Sequence, residues 1–169
     1  MGWKNSRGRP LDGETVSPVE GPIRVLHLLY SSLPDVAGYT IRSAYLLQGL
    51  RARGVDAVAA TVPEFGDRIG TEVIDGVTYH RWSASGLGPG WSWARRIPGY
   101  RNRYRADREA DYYVDLARRI GAQIIHSHST ARCGFIGGRV AARLGLPYIY
   151  EVRGLWDESA IADGKLVAG

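Results

Sequence analysis

The sequence predicts an α/β domain built on a doubly wound, mainly parallel sheet that carries a β-hairpin insertion. Three observations predict it. Apolar runs of strand length recur along the chain, amphipathic stretches of helix length separate them, and glycines close those stretches before the next apolar run begins. Strand and helix alternating in this order form right-handed crossovers between parallel strands, the Rossmann-like arrangement.

Residues 1–21 are polar with several Gly and Pro, and are read as a flexible extension ahead of a domain spanning 22–169. "IRVLHLLY" (Ile23–Tyr30) is a near-continuous apolar run, as a strand covered on both faces requires. "SSLPDVAG" is a loop by its Ser, Pro, Asp and Gly content. The helix "YTIRSAYLLQGLRARG" follows, with Ile41, Ala44, Leu47 and Leu50 on one broad face and Gly54 as its stop. "VDAVAATV" (Val55–Val62) is the second strand and completes a βαβ unit.

"EVIDGVTYHRW" sets Asp75-Gly76 between two β-prone runs, a hairpin signal. Residues Ser83 to Gly99 form a long Gly-, Trp- and Pro-rich loop. A helix is predicted over Tyr100–Ile120, with Tyr113, Leu116, Ala117 and Ile120 spaced to share a face and Gly121 ending it. "AQIIHSHST" (Ala122–Thr130) is the next strand. "CGFIGGRVAARLG" is helical through Ile136, Val140, Ala141 and Leu144, and Gly145 and Pro147 lead into a last strand, "PYIYEVRG".

An apolar content of 44% and a charged content of 23% are those of a globular protein, not of a disordered chain. The single cysteine, Cys133, excludes an internal disulfide framework and a multi-cysteine zinc site, and suits a cytosolic location. A net charge of +5 calls for an anionic partner: nucleic acid, a membrane surface or a phosphorylated ligand. Much of the arginine lies in "RRIPGYRNRYRADRE", which reads either as a solvated helix face or as a basic, aromatic docking surface.

In a doubly wound sheet, ligands sit outside the carboxyl ends of the strands, so three loops matter: Ser31–Gly38, Ser127–Gly134 and Arg153–Glu158. Gly38 stands at a helix N-terminus, where free N–H groups and the positive dipole end suit a diphosphate. A glycine that merely permits the turn is the plainer alternative. The pattern is neither GxGxxG nor a P-loop, and no acid closes the second strand, which disfavours NAD.

His126 and His128 are two apart on a strand and so point to one side. A metal pair is one reading, but no third histidine or carboxylate ligand is near in sequence, and nothing ties His80 to the pair. The other reading is one packed ring and one free ring in the cleft mouth, with His128 on the reaction side and His126 in support. His27 reads as a satisfied core histidine. Glu151, Arg153, Asp157 and Glu158 cluster at the end of the last strand. Arginine there suits phosphate or carboxylate and the acids suit sugar hydroxyls; a local ion-pair network is the alternative.

Together these stretches resemble group 1 glycosyltransferases, the retaining GT-B enzymes of family four. "IRVLHLLYSSLPDVAGYTIRSAYLLQGLRARGVDAVAATVP" resembles the family's opening, "AQIIHSHST" its D-I-I-H-x-H-S stretch, and "ARLGLPYIYEVRGLWDE" its A-x-x-x-G-x-P-x-x-x-E-x-R-G stretch. The likeness runs from about Ile23 to Glu158. It departs from the family in the single-glycine "AGYTIR" loop and at Gln123, where an aspartate is usual.

The resemblance implies the N-terminal, acceptor-side half of a GT-B fold, with the donor-binding C-terminal half and its E-x7-E stretch outside the sequence, and a chain inactive by itself. It implies a nucleotide-diphosphate sugar as donor substrate, no cofactor and no metal. Ala37, Gly38 and Tyr39 would lie against the donor diphosphate, and His128 would be the catalytic residue. His126, Ser129, Glu151, Arg153 and Asp157 would shape the acceptor side. The acceptor would be a glycan or lipid-linked glycan, in cell-surface or exopolysaccharide synthesis, at a cytoplasmic location by the inner membrane face. Trp91, Trp93, Arg95, Arg96, Tyr100 and Arg101 have the composition for peripheral membrane contact. The rival reading is a non-enzymatic module that docks a partner through the Trp/Gly-rich loop. Nucleic-acid binding has only basic charge behind it and is not expected.

Overall fold

The computed structural model describes residues 21–63, 69–83 and 100–153, with the backbone alone for 100–106. The element order is β1 (Arg24–Leu29), α1 (Gly38–Arg51), β2 (Asp56–Thr61), β3 (Gly70–Ile74), β4 (Val77–Arg81), α2 (Tyr100–Ile120), β5 (Ile124–His128), α3 (Ala131–Leu144) and β6 (Tyr148–Glu151). They form one six-stranded sheet in the order β3-β4-β2-β1-β5-β6. All neighbours are parallel except β3 and β4, the hairpin.

The sheet is Rossmann-like and doubly wound. From β1 the chain crosses through α1 to β2, and from β5 through α3 to β6 on the opposite side of β1. The switch point therefore lies between β1 and β5, where two right-handed crossovers leave on opposite faces and open a crevice at the carboxyl ends.

Each face has its own core. Leu26, Leu28, Val58, Ala60 and Ile125 pack under α2 and α3 with Tyr113, Leu116, Ala117, Ile136, Val140 and Ala141. The alternate residues Leu29, Ala57 and Ala59 pack with Leu47 of α1 and with Val77 and Tyr79 of β4. Burial on both faces is why β1 and β2 read as near-continuous apolar runs. Tyr113, fully buried, accepts from Trp82 Nε1 at 3.1 Å and donates to the Thr61 carbonyl at 2.8 Å, tying α2 to the end of β2.

The hairpin turns at Asp75 (φ 49°) and Gly76 (φ 77°), the double left-handed turn that Asp-Gly favours. Gly145 (φ 65°) caps α3, donating its N–H to the Ala141 carbonyl.

The expected α1 face is wrong at its first residue. Ile41 is 39% exposed, whereas Thr40, Ser43, Ala44 and Leu47 are buried. The buried stripe begins one residue earlier because the sheet beneath that end of α1 is polar. The last strand also differs from its apolar reading: Tyr148, Ile149 and Tyr150 of β6 are exposed, since β6 is the edge strand among the described residues.

Candidate functional site

The site forms where β1, β5 and β6 end and α1 begins. Ala37 is the extended N-cap of α1 and offers no side-chain cap; the first turn holds no acid. Residues 34–38 are exposed, and among the described residues a Cβ on Gly38 would have no neighbour within 4 Å. Among the described residues, packing does not demand a glycine there. α3 likewise starts with no side-chain cap at Thr130 and no acid in its first turn. Neither first turn carries an acidic side chain of its own to oppose the helix dipole.

Parallel pairing sets His27 of β1 opposite His126 of β5, and His128 opposite Glu151 of β6. The three imidazoles share the sheet face that carries α1. Their ring centroids are 4.0 Å apart for His126–His128, 5.0 Å for His27–His126 and 5.2 Å for His27–His128. His27 Nδ1 lies 2.9 Å from His128 Nε2. His27 is thus a core histidine, but a half-satisfied one: its Nε2 is buried without a hydrogen-bond partner, as is Nε2 of His126.

Exposure reverses the expected division between the paired rings. His128, read as the free ring, is fully buried, and His126 is the half-buried one. The cause is β6: Glu151 Oε2 stands 2.7 Å from His128 Nδ1, and Arg153 Nη2 stands 2.6 Å from the same atom. A neutral ring can serve only one of these partners at Nδ1, as donor to the carboxylate or acceptor from the guanidinium. Burial, the His126 ring, and the Arg153 and Arg42 charges push its pKa down to about 2. Burial, then the His128 and His126 rings, hold His27 well below the usual imidazole value, and burial lowers His126.

Glu151 and Arg153 form an internal network. Glu151 takes Arg153 at 2.9 Å and Arg42 at 3.2 Å. Burial raises its carboxyl pKa, but the hydrogen bond and charge of Arg153, then the charge of Arg42, outweigh that and hold it below the usual range. The Arg153 side chain, 6% exposed, also donates to Ser43 Oγ at 2.7 Å and lies 5.0 Å over the Tyr39 ring. Tyr39 turns inward: its hydroxyl accepts from Tyr30 N–H at 3.1 Å and donates to the His128 carbonyl at 3.2 Å. Only its backbone faces the expected phosphate position. Ser129 is buried, with its N–H on the Glu151 carbonyl at 2.9 Å.

Asp157 and Glu158, and Trp91, Trp93, Arg95 and Arg96, lie outside the described residues, as does the loop of the docking-module reading. Of Tyr100 and Arg101 only the helical backbone is described. Four participants were not singled out from the sequence as site residues: His27, Arg42, Ser43 and Arg81. Arg81 of β4, 6% exposed, donates to Ser32 Oγ at 3.2 Å and the Leu33 carbonyl at 2.6 Å while paired to Glu72. It clamps the loop that leads into α1. Its only advance signal is an arginine alternating with Tyr79 on the inner face of a strand.

A family model for the glycosyl transferase 4-like domain matches residues 37–168. The chain belongs to that family. No curated protein matches the sequence. Among solved structures, this glycosyl transferase 4-like domain is similar to a sucrose-phosphate synthase from Thermosynechococcus elongatus, with a TM-score of 0.58 and 12% identity over 86% of this chain and 36% of that one. It is also similar to the C-terminal domain of a Pyrococcus furiosus hydrogenase, with a TM-score of 0.50 and 12% identity over 81% of this chain and 97% of that one. The glycosyltransferase SsfS6 from Streptomyces sp. SF2575 matches at 0.46 and 20% identity over 76% of this chain and 38% of that one. At such identities the likeness is one of fold. The chain spans 36% of the synthase's length. Among the described residues no helix is long and apolar enough to cross a membrane.

Proposed function

We propose that this glycosyltransferase domain is the N-terminal, acceptor-side half of a retaining, metal-independent GT-B enzyme. It serves transfer of a sugar from a nucleotide-diphosphate sugar to a glycan or lipid-linked acceptor at the inner membrane face, in cell-surface or exopolysaccharide synthesis. The observation that carries the reading is the exposed, acid-free start of α1 at the switch point, beside Arg42 and the Glu151–Arg153 pair.

The donor diphosphate sits against Ala37–Tyr39 on the backbone N–H groups of Gly38 and Tyr39, the Ala37 N–H being held by Thr40 Oγ1 at 2.9 Å. There the helix dipole stabilises the charge that develops as the diphosphate departs. A second domain brings the nucleotide and closes the crevice, so residues 1–169 by themselves do not transfer sugar. His128 is the imidazole closest to the carboxyl end of β5. It reaches the transferring sugar when substrate takes over the contacts of Glu151 and Arg153, and it donates a hydrogen bond to a donor hydroxyl. Orientation on one face of the sugar, rather than a metal, supplies the remainder.

The test is nucleoside diphosphate release by the full-length protein that carries this domain, over a panel of nucleotide-sugars, with the product anomer read by NMR. Retained configuration, activity unchanged by EDTA, and a lower kcat in His128→Ala are expected. An inverted product, or a His128→Ala enzyme with unchanged kinetics, refutes the corresponding part. Turnover by residues 1–169 alone refutes the half-enzyme reading.

A further inference from the structure

We propose that His27, His126 and His128 form a binding site for one divalent cation of the zinc class. The site shares His128 with the transferase reading, so cation binding and contact with the donor sugar are alternative states of that ring, and the test below reads binding rather than turnover. The sequence shows only a pair of histidines, two apart; the sheet supplies the third. His27 is the cross-strand partner of His126, and side chains in register on adjacent strands stand side by side on one face. One ligand nitrogen from each ring falls within 4.8 Å of the other two. His27 Nδ1 and His128 Nε2, 2.9 Å apart, are already near the separation of roughly 3.3 Å that two nitrogens have on a tetrahedral zinc with bonds of about 2.0 Å. His126 has the farthest to move, and it is the half-buried ring of the three.

Two further observations point to a ligand. Nε2 of His126 is buried without a hydrogen-bond partner among the described residues, in a core where nearly every polar atom is expected to find one. Glu151 stands 2.7 Å from His128 Nδ1, the carboxylate–imidazole arrangement that turns the other ring nitrogen toward a metal. With the His128 Nδ1–H donating to Glu151, Arg153 keeps its bonds to Glu151 and Ser43, and the His128 Nε2 lone pair, now shared with His27 Nδ1, is the one that ligates. The donor set is three neutral imidazoles on strands, with a fourth position for water. That set selects zinc, copper or nickel and not magnesium or calcium, which need oxygen ligands.

The background for a test is low. The sequence holds four histidines, and the fourth, His80, is 3.0 Å from Thr71 Oγ1 on the hairpin; Cys133 is buried. The 169-residue chain, free of any histidine tag, is titrated with Co2+ and followed by visible absorption. Expected are the intense bands of tetrahedral nitrogen-ligated cobalt at one ion per chain, their displacement by Zn2+, and a rise in Tm with Zn2+. His126→Ala weakens binding by more than about 10-fold, Glu151→Gln by about 10-fold, and His80→Ala leaves it unchanged. If His126→Ala fails to fold by circular dichroism, His126→Asn takes its place. No tetrahedral spectrum in the unaltered chain, affinity unchanged in the His126 variant, or binding lost in His80→Ala each overturns the site.

Discussion

Arg153, just past the last strand, donates to Ser43 Oγ on α1 at 2.7 Å across 110 residues of sequence. The contact closes α1 onto the end of the sheet and gives a buried guanidinium a partner besides Glu151 and the His128 ring. Glu151 is partly exposed and keeps Arg42, so removing Arg153 costs the lost charged hydrogen bonds, about 1.5–3 kcal/mol. Arg153→Ala is therefore expected to lose stability on that scale in urea unfolding. Arg153→Lys recovers only part of it, because an ammonium cannot span Glu151 and Ser43 as a planar fork does. Ser43→Ala costs about 1 kcal/mol. Equal midpoints for the lysine variant and the unaltered chain would overturn the account.

α3 lies against β5 and β6 only because of its glycines. A Cβ on Gly137 would stand 1.9 Å from Ser127 Oγ, and one on Gly134 would meet the Tyr150 ring at 3.0 Å. Gly137→Ala should destabilise by about 1–3 kcal/mol despite alanine's better helix propensity, since overpacking forces the helix off the sheet. Ser127→Gly in the same chain removes the clashing oxygen and should restore most of the loss. A double variant no better than Gly137→Ala would place the strain elsewhere.

Acid should weaken the fold well above the pH at which carboxylates titrate. His27, His126 and His128 are all held below their ordinary imidazole value of 6.5 by burial, and Glu151 below 4.5 by Arg153 and Arg42. A lowered folded-state pKa means that the unfolded chain binds protons first. The stability is complete above pH 6.5 and drains as pH falls below it, with Glu151 adding its share below 4.5. In EDTA, the unfolding free energy in urea should fall from pH 6.5 to 5 with a slope approaching at least one proton, about 1.4 kcal/mol per pH unit, and the midpoint should fall with it. His27→Gln should flatten that slope. A midpoint constant from pH 7 to 5 would show that the rings charge without cost.

The strands and the hairpin were legible because their causes are local. Burial on both faces writes β1 and β2 as near-continuous apolar runs, and the turn of β3 into β4 needs the Asp75-Gly76 pair itself. The predicted span of α2 matches its observed one. The errors come from partners far along the chain. Nothing near Ser43 announces Arg153, so the inner face of α1 was placed on Ile41. Nothing near His27 announces His126, because their pairing follows from strand register rather than spacing. His128 looked free for the same reason: the residues that cover it, Glu151 and Arg153, arrive on the next strand. Resemblance carried the family, and geometry then changed which imidazole is open.

Gly38 separates the structural from the functional meaning of a glycine at a helix start. Among the described residues a Cβ there meets nothing within 4 Å, and the first turn of α1 carries no acid to balance its dipole. Gly38→Asp should therefore fold as well as the unaltered chain, or gain about 0.3–1 kcal/mol from an anion at the helix N-terminus. The same carboxylate would occupy the place proposed for the donor diphosphate and repel it. In the full-length protein the variant should raise the KM for the nucleotide-sugar at least tenfold, with the thermal midpoint kept or raised. Gly38→Ser, neutral and a good capping residue, should move the KM far less. Aspartate that leaves the donor KM unchanged would mean that the glycine serves the turn alone and that the diphosphate binds elsewhere.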